Sequence, residues 1–133
     1  MVAVDTNVVV RLLTDDEPRQ ADAARALFSS EDIWIAKTVL LETGWVLRSL
    51  YGFDEGAIAR AFTKILGLKR VHVEDGAGVT AALDLTTRGI ELADAFHLSG
   101  RPASAIFVTF DKALILGAKR AGVAGVGRPG RTQ

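Results

Sequence analysis

The apolar positions of this chain fall in short blocks that alternate between a strand-like and a helix-like period. Val2-Ala3-Val4 is an unbroken apolar run, followed by Asp5-Thr6-Asn7 and then by Val8-Val9-Val10. The run predicts a strand over 2–5, read as a central strand of a covered parallel sheet, passing into a helix over 6–13. Thr14-Asp15-Asp16-Glu17-Pro18 predicts a turn and a helix entry, since acids suit the positive end of a helix and proline its first turn. Ala21, Ala24, Leu27 and Phe28 then recur at helical spacing up to about Ser30. A second strand is predicted over 32–36. It is followed by a helix over 37–50 whose stripe is Val39, Leu40, Thr43, Val46, Leu47 and Leu50.

After the break at Tyr51-Gly52-Phe53, Asp54 is placed to cap a helix running from Glu55 to about Leu68. Val71-His72-Val73 predicts a third strand, and Ala77 to Leu85 a helix that stops at Gly89. Residues 92–99 form a short helix, apolar nearly all round, and 105–109 a strand ending at Phe110-Asp111. A closing helix spans 112–120, residues 123–126 suggest an edge strand, and 128–133 read as a loose tail. Strands alternating with helices predict one α/β domain over 1–133, a three-layer α/β/α arrangement with a mainly parallel central sheet.

Composition narrows the chemistry. The sequence is 49% hydrophobic and 24% charged, the balance of a folded globular chain. Cysteine is absent, which excludes disulfide frameworks, zinc ribbons and thiol catalysis. No stretch reaches the ~20 apolar residues of a membrane span, and no basic-start secretory signal is present. The expectation is a cytoplasmic protein with no membrane partner. Sixteen basic residues balance sixteen acidic ones, so any nucleic-acid contact must come from local patches such as Lys69-Arg70, Lys119-Arg120 or Arg128 and Arg131.

Four acids stand among apolar neighbours: Asp5 after the first valine run, Glu42 after Leu40-Leu41, Asp94 between Ala93 and Ala95, and Asp111 after Ile106 to Phe110. Each has a plain structural reading. Asp5 and Asp111 suit helix N-caps, Asp94 suits a first helical turn, and Glu42 could pair with a nearby cation. Together they suggest more. Strand ends in open α/β sheets border the ligand crevice, and acids gathered there would repel one another or take up protons. A hard cation removes that difficulty. An all-oxygen set with two histidines in the chain and no cysteine favours Mg²⁺ or Mn²⁺ over zinc.

Val4-Asp5-Thr6-Asn7, Leu40-Leu41-Glu42-Thr43, Ala93-Asp94-Ala95-Phe96-His97-Leu98 and Val108-Thr109-Phe110-Asp111 together resemble the PIN domain. More narrowly, they resemble the VapC-type toxins of bacterial toxin–antitoxin pairs. The likeness runs from residue 2 to about 120, and its first and last motifs are the specific ones. The resemblance implies a metal-dependent endoribonuclease leaving 3′-hydroxyl and 5′-phosphate ends. It makes Asp5, Glu42, Asp94 and Asp111 both the catalytic set and the ligands of one or two Mg²⁺ or Mn²⁺ ions. Asn7 and Thr109 would orient those carboxylates or a metal-bound water. Glu91 stands where many relatives have Asp. The family further implies a homodimer, an RNA substrate and a cognate antitoxin protein whose tail enters the pocket, often with an arginine.

Other residues stay open at this stage. His97 is a neutral base or a half-buried hydrogen-bonding histidine, and Arg11 a phosphate contact or a solvated cation. Trp45, one turn beyond Glu42, could stack on a base or serve as core or dimer contact. The rival readings are a receiver-like or phosphatase-like Mg²⁺-binding domain, a PIN-like fold without catalysis, and an RNA-processing nuclease that is no toxin. Asp5 lacks the neighbouring acid a receiver needs. Asn7 stands where a dehalogenase-type phosphatase would carry its second aspartate.

Overall fold

The computed structural model describes residues 1–130. The chain gathers into two compact units, Met1–Gly76 and the residues from Ala77 onward.

In the first unit β1 (Val2–Ala3), β2 (Ile33–Ile35) and β3 (Val71–Val73) form a parallel sheet in the order β1-β2-β3, with Ala3 opposite Trp34 and Trp34 opposite His72. The alternation of β2 is clear. Ile33 and Ile35 are buried and Trp34 between them is exposed. β1 is two residues long and lies at an edge of this sheet, whereas the valine run suggested a longer, central strand. The chain turns out of the strand at Asp5 to begin a helix, and that turn shortens it.

Four helices complete the unit: α1 (Thr6–Leu13), α2 (Pro18–Ser30), α3 (Lys37–Tyr51) and α4 (Glu55–Leu66). Helix α1 packs against α2 and α3, and α3 also meets α4. Val9, Val10, Leu40, Leu47, Ile58, Phe62 and Ile65 fill the interior with the isoleucines of β2, each at most 2% exposed. Full burial of each such side chain contributes about 1.5–3 kcal/mol.

The ends of α3 are well defined, which matters because it carries Glu42. Ala36 offers no side-chain cap at its start. Instead Glu74 at the end of β3 accepts from the Lys37 backbone N–H at 2.9 Å, and the Lys37 ammonium meets Asp75 at 2.9 Å. At the far end Gly52 takes a left-handed φ of 70°, a conformation that costs glycine little, and stops the helix.

The second unit holds α5 (Gly76–Thr87, its first residue on the boundary), α6 (Leu92–Ser99), α7 (Lys112–Arg120) and a two-stranded parallel sheet of β4 (Phe107–Val108) with β5 (Val126–Gly127). Val79, Ala82, Ile90, Leu92, Ala95, Leu98, Leu114 and Ala118 are buried. The strand before Asp111, apolar in sequence and expected to be buried, is open along one face: Ile106, Val108 and Phe110 are 57%, 49% and 79% exposed. Of the expected tail, Arg128 is a bridge residue and Pro129-Gly130 a turn, while 131–133 lie outside the described residues. Among the described residues no helix is long and apolar enough to cross a membrane.

Candidate active site

Each unit carries two of the four acids, and in each a strand end opens into a helix. At the end of β1, Asp5 keeps an extended backbone and caps α1, its Oδ1 accepting from the Val8 N–H at 3.2 Å. Among the described residues no hydrogen bond is seen to its other oxygen. Thr6, the next residue, is buried, and its hydroxyl donates to Glu42 Oε1 on α3. One turn of backbone thus presents a carboxylate outward and holds a second carboxylate through its neighbour's hydroxyl.

The second unit repeats the device. Asp111 follows β4 and caps α7, with Oδ1 accepting from the Leu114 N–H at 3.0 Å. Thr109 steadies it from behind. Its hydroxyl accepts from the Asp111 N–H at 3.0 Å, while its own N–H donates to the Gly127 carbonyl at 2.9 Å. Glu91 caps α6 by accepting from the Ala93 N–H at 3.4 Å, and Asp94 lies in the first turn of the same helix.

Burial separates the four. Asp5, Glu42 and Asp111 are exposed, although apolar residues surround them in sequence, and only Asp94 is half-buried. Asp5 and Asp111 sit at helix N-caps and Glu42 on the open face of α3, so local hydropathy overstated how dry these sites are. Asp94 is the perturbed group. Burial pushes its carboxyl above the ordinary value of 3.8, and the negative charge of Glu91 pushes further. His97 acts in the opposite direction, and the charge of Asp111 adds a final upward push. In this unit two acids therefore bear on Asp94, with one imidazole against them.

The donor set is compatible with a hard cation. All candidate ligands are carboxylate oxygens, and relief of the penalty on ionised Asp94 is what a divalent ion would supply. Among the described residues no three His, Asp or Glu side chains form a ready-made metal cage. Mg²⁺ does not require one, because it commonly takes one or two carboxylates and completes its shell with water.

The remaining candidates have clear positions. Asn7 is exposed and lines, with Val8, Arg11, Gln20 and Leu27, a groove of about 250 Å³ between α1 and α2. Arg11 is half-buried and tied to three side chains. It donates to Gln20 at 2.7 Å and to the Tyr51 hydroxyl at 3.0 Å, and pairs with Asp16 at 3.4 Å. His97 is exposed. Trp45 is 61% exposed, so it is not a core residue. Sequence reasoning passed over Thr6 as a positioning residue. Its signal was present, a hydroxyl directly after the strand-end acid and inside the apolar face of α1.

Compared with known families, residues 2–118 match the model of the PIN domain. The match takes in both units and all four acids. It brings the fold class with it, a three-layer α/β/α arrangement, and the seven helices and wholly parallel strand pairs of the described residues fit that class. No curated protein matches the chain.

Proposed function

The chain belongs to the PIN domain family, whose members are metal-dependent nucleases, and from that membership we propose an endoribonuclease that acts as the toxin of a toxin–antitoxin pair. The observation that carries the reading is the charge around Asp94. A half-buried carboxyl whose ionised form is disfavoured by burial and by two neighbouring acids gains from a cation beside it. Asp5, Glu42, Asp94 and Asp111 would hold Mg²⁺ or Mn²⁺. Bound there, the ion supplies positive charge to an acidic site, a more acidic water and stabilisation of the leaving oxygen.

The protein's own groups have separate tasks. Asp5 and Asp111 are fixed by their caps, so each offers its second oxygen without losing its place. Thr6 holds the Glu42 carboxylate at one oxygen and Thr109 holds the backbone of Asp111. Pre-set ligands of this kind lower the reorganisation needed when substrate arrives. Family membership removes the receiver and phosphatase readings.

The test is direct. The purified chain with Mg²⁺ or Mn²⁺ should cut single-stranded RNA to 5′-phosphate and 3′-hydroxyl ends, stop in chelator, and leave aryl phosphates untouched. The toxin role predicts growth arrest on expression, relieved by co-expression of a small partner gene adjacent to this one. It also predicts a homodimer and cytoplasmic action. RNA cleavage without growth arrest would place the chain among RNA-processing nucleases; no cleavage with either metal would end the reading.

A further inference from the structure

Helix α3 buries one side against α1 and α4 and leaves a stripe of Thr38, Glu42, Trp45 and Ser49 in the open. Those residues recur at the helical interval of three to four, which defines a single face. Three of them are polar, as an exposed face should be. Trp45 is not, and it is 61% exposed. A tryptophan side chain spans roughly 150–250 Å², so on the order of 100–150 Å² of indole stands in water. That exposure is costly unless it is covered in use.

We propose that Trp45 is the stacking platform for an unpaired base of the RNA strand, one turn along α3 from the proposed metal ligand Glu42. The proposal rests on the nuclease reading and names the form of its substrate. Residues three apart on a helix have Cβ atoms roughly 5–6 Å from each other, a separation on the scale of neighbouring nucleotides. An indole plane accepts any base, whereas a paired base has both faces already stacked within its duplex. The exposed indole is also too small to support a subunit interface. A stable one needs about 800 Å² per partner, and along its stripe Trp45 stands between Glu42 and Ser49, with half-buried Leu41 one turn before it. The arrangement therefore selects single-stranded RNA, loops and bulges over helices.

The experiment uses the full chain with Trp34→Phe, so that Trp45 is the sole tryptophan, and Ca²⁺ in place of Mg²⁺. A short single-stranded RNA should quench the Trp45 fluorescence; a duplex of the same sequence should not. In Mg²⁺, Trp45→Ala should raise KM for the single strand by about 5- to 100-fold with kcat nearly unchanged, and Trp45→Phe should restore most of the loss. Equal KM for parent and Trp45→Ala, in a parent that cuts RNA, overturns the stacking role and leaves the nuclease standing. Quenching by the single strand in a chain that cuts nothing supports stacking and overturns the nuclease instead. A Trp45→Ala variant that shifts from dimer to monomer while its KM holds identifies the indole as a subunit contact and ends the proposal.

Discussion

Asp5 caps α1 and is proposed as a metal ligand, and two substitutions separate the cap from the proposed role. As N-cap of α1 it accepts from the Val8 N–H at 3.2 Å, a long bond made in solvent. Loss of an N-cap costs about 0.5–2 kcal/mol, and the length and exposure of this one place Asp5→Ala in the lower half, at about 0.5–1 kcal/mol. For a chain of this size that lowers Tm by about 2–4 °C. Asparagine caps as well as aspartate, so Asp5→Asn loses only a charge at the positive end of the helix, about 0.3 kcal/mol in moderate salt. As ligands the two variants are alike: neither supplies a carboxylate, and each should cut RNA about 10³-fold more slowly than the parent. Thermal melts in chelator and initial cleavage rates in Mn²⁺ measure both effects. Asp5→Asn cleaving at the parental rate would reduce Asp5 to a cap. A melting temperature for Asp5→Ala at or above the parent's would show that the cap is worth nothing.

Other substitutions address the remaining parts. Thr6→Val removes the hydroxyl that holds Glu42 while preserving shape; the cleavage rate should fall about tenfold with less than about 1 kcal/mol lost in urea unfolding, and Thr6→Ser should retain activity. Folding raises the Asp94 pKa above 3.8, so its ionised form favours the unfolded chain, and its contribution to stability is full below pH 3.8 and declines as pH rises through the folded value. Asp94→Asn should therefore melt higher than the parent at pH 7 in chelator and lose the stabilisation that millimolar Mn²⁺ gives the parent; an unchanged Mn²⁺ shift would remove Asp94 from the ligand set. Asp16 behaves in the opposite sense. Its pKa lies below the ordinary value, chiefly because the Tyr51 hydroxyl donates to it at 2.7 Å, so its stabilising effect holds above pH 3.8 and disappears as pH falls through the folded value. Tyr51→Phe should flatten the acid limb of the stability–pH curve, and an identical limb would refute that assignment.

Sequence and structure agree best where local rules decide. Pro18 at the first turn of α2, Asp54 capping α4 through the Ala57 N–H at 2.8 Å and Gly52 ending α3 are short-range signals, and each stands where its chemistry placed it. Strand length and burial were less legible. Whether Val4 continues a strand depends on the turn at Asp5, and whether Ile106 and Val108 are covered depends on tertiary packing, neither of which hydropathy records. The same holds for the site. Asp5, Glu42, Asp94 and Asp111 could be picked out because acids in apolar sequence are conspicuous, while Thr6 was passed over because a threonine in a helix is not. Its role follows only from Glu42, thirty-six residues away, being brought to its hydroxyl.

The placement of the acids also shows how a fold tolerates them. Asp5, Glu91 and Asp111 each cap a helix, where backbone N–H groups and the helix dipole favour negative charge. Backbone N–H groups hold each of these three carboxylates in place. Asp94 is not a cap: it lies inside the first turn of α6, half-buried, and burial first, then Glu91 and Asp111, raise its pKa. The demand for a cation is therefore unevenly spread. Backbone N–H groups fix the capping acids, so under the proposed reading a bound cation would contribute most at Asp94.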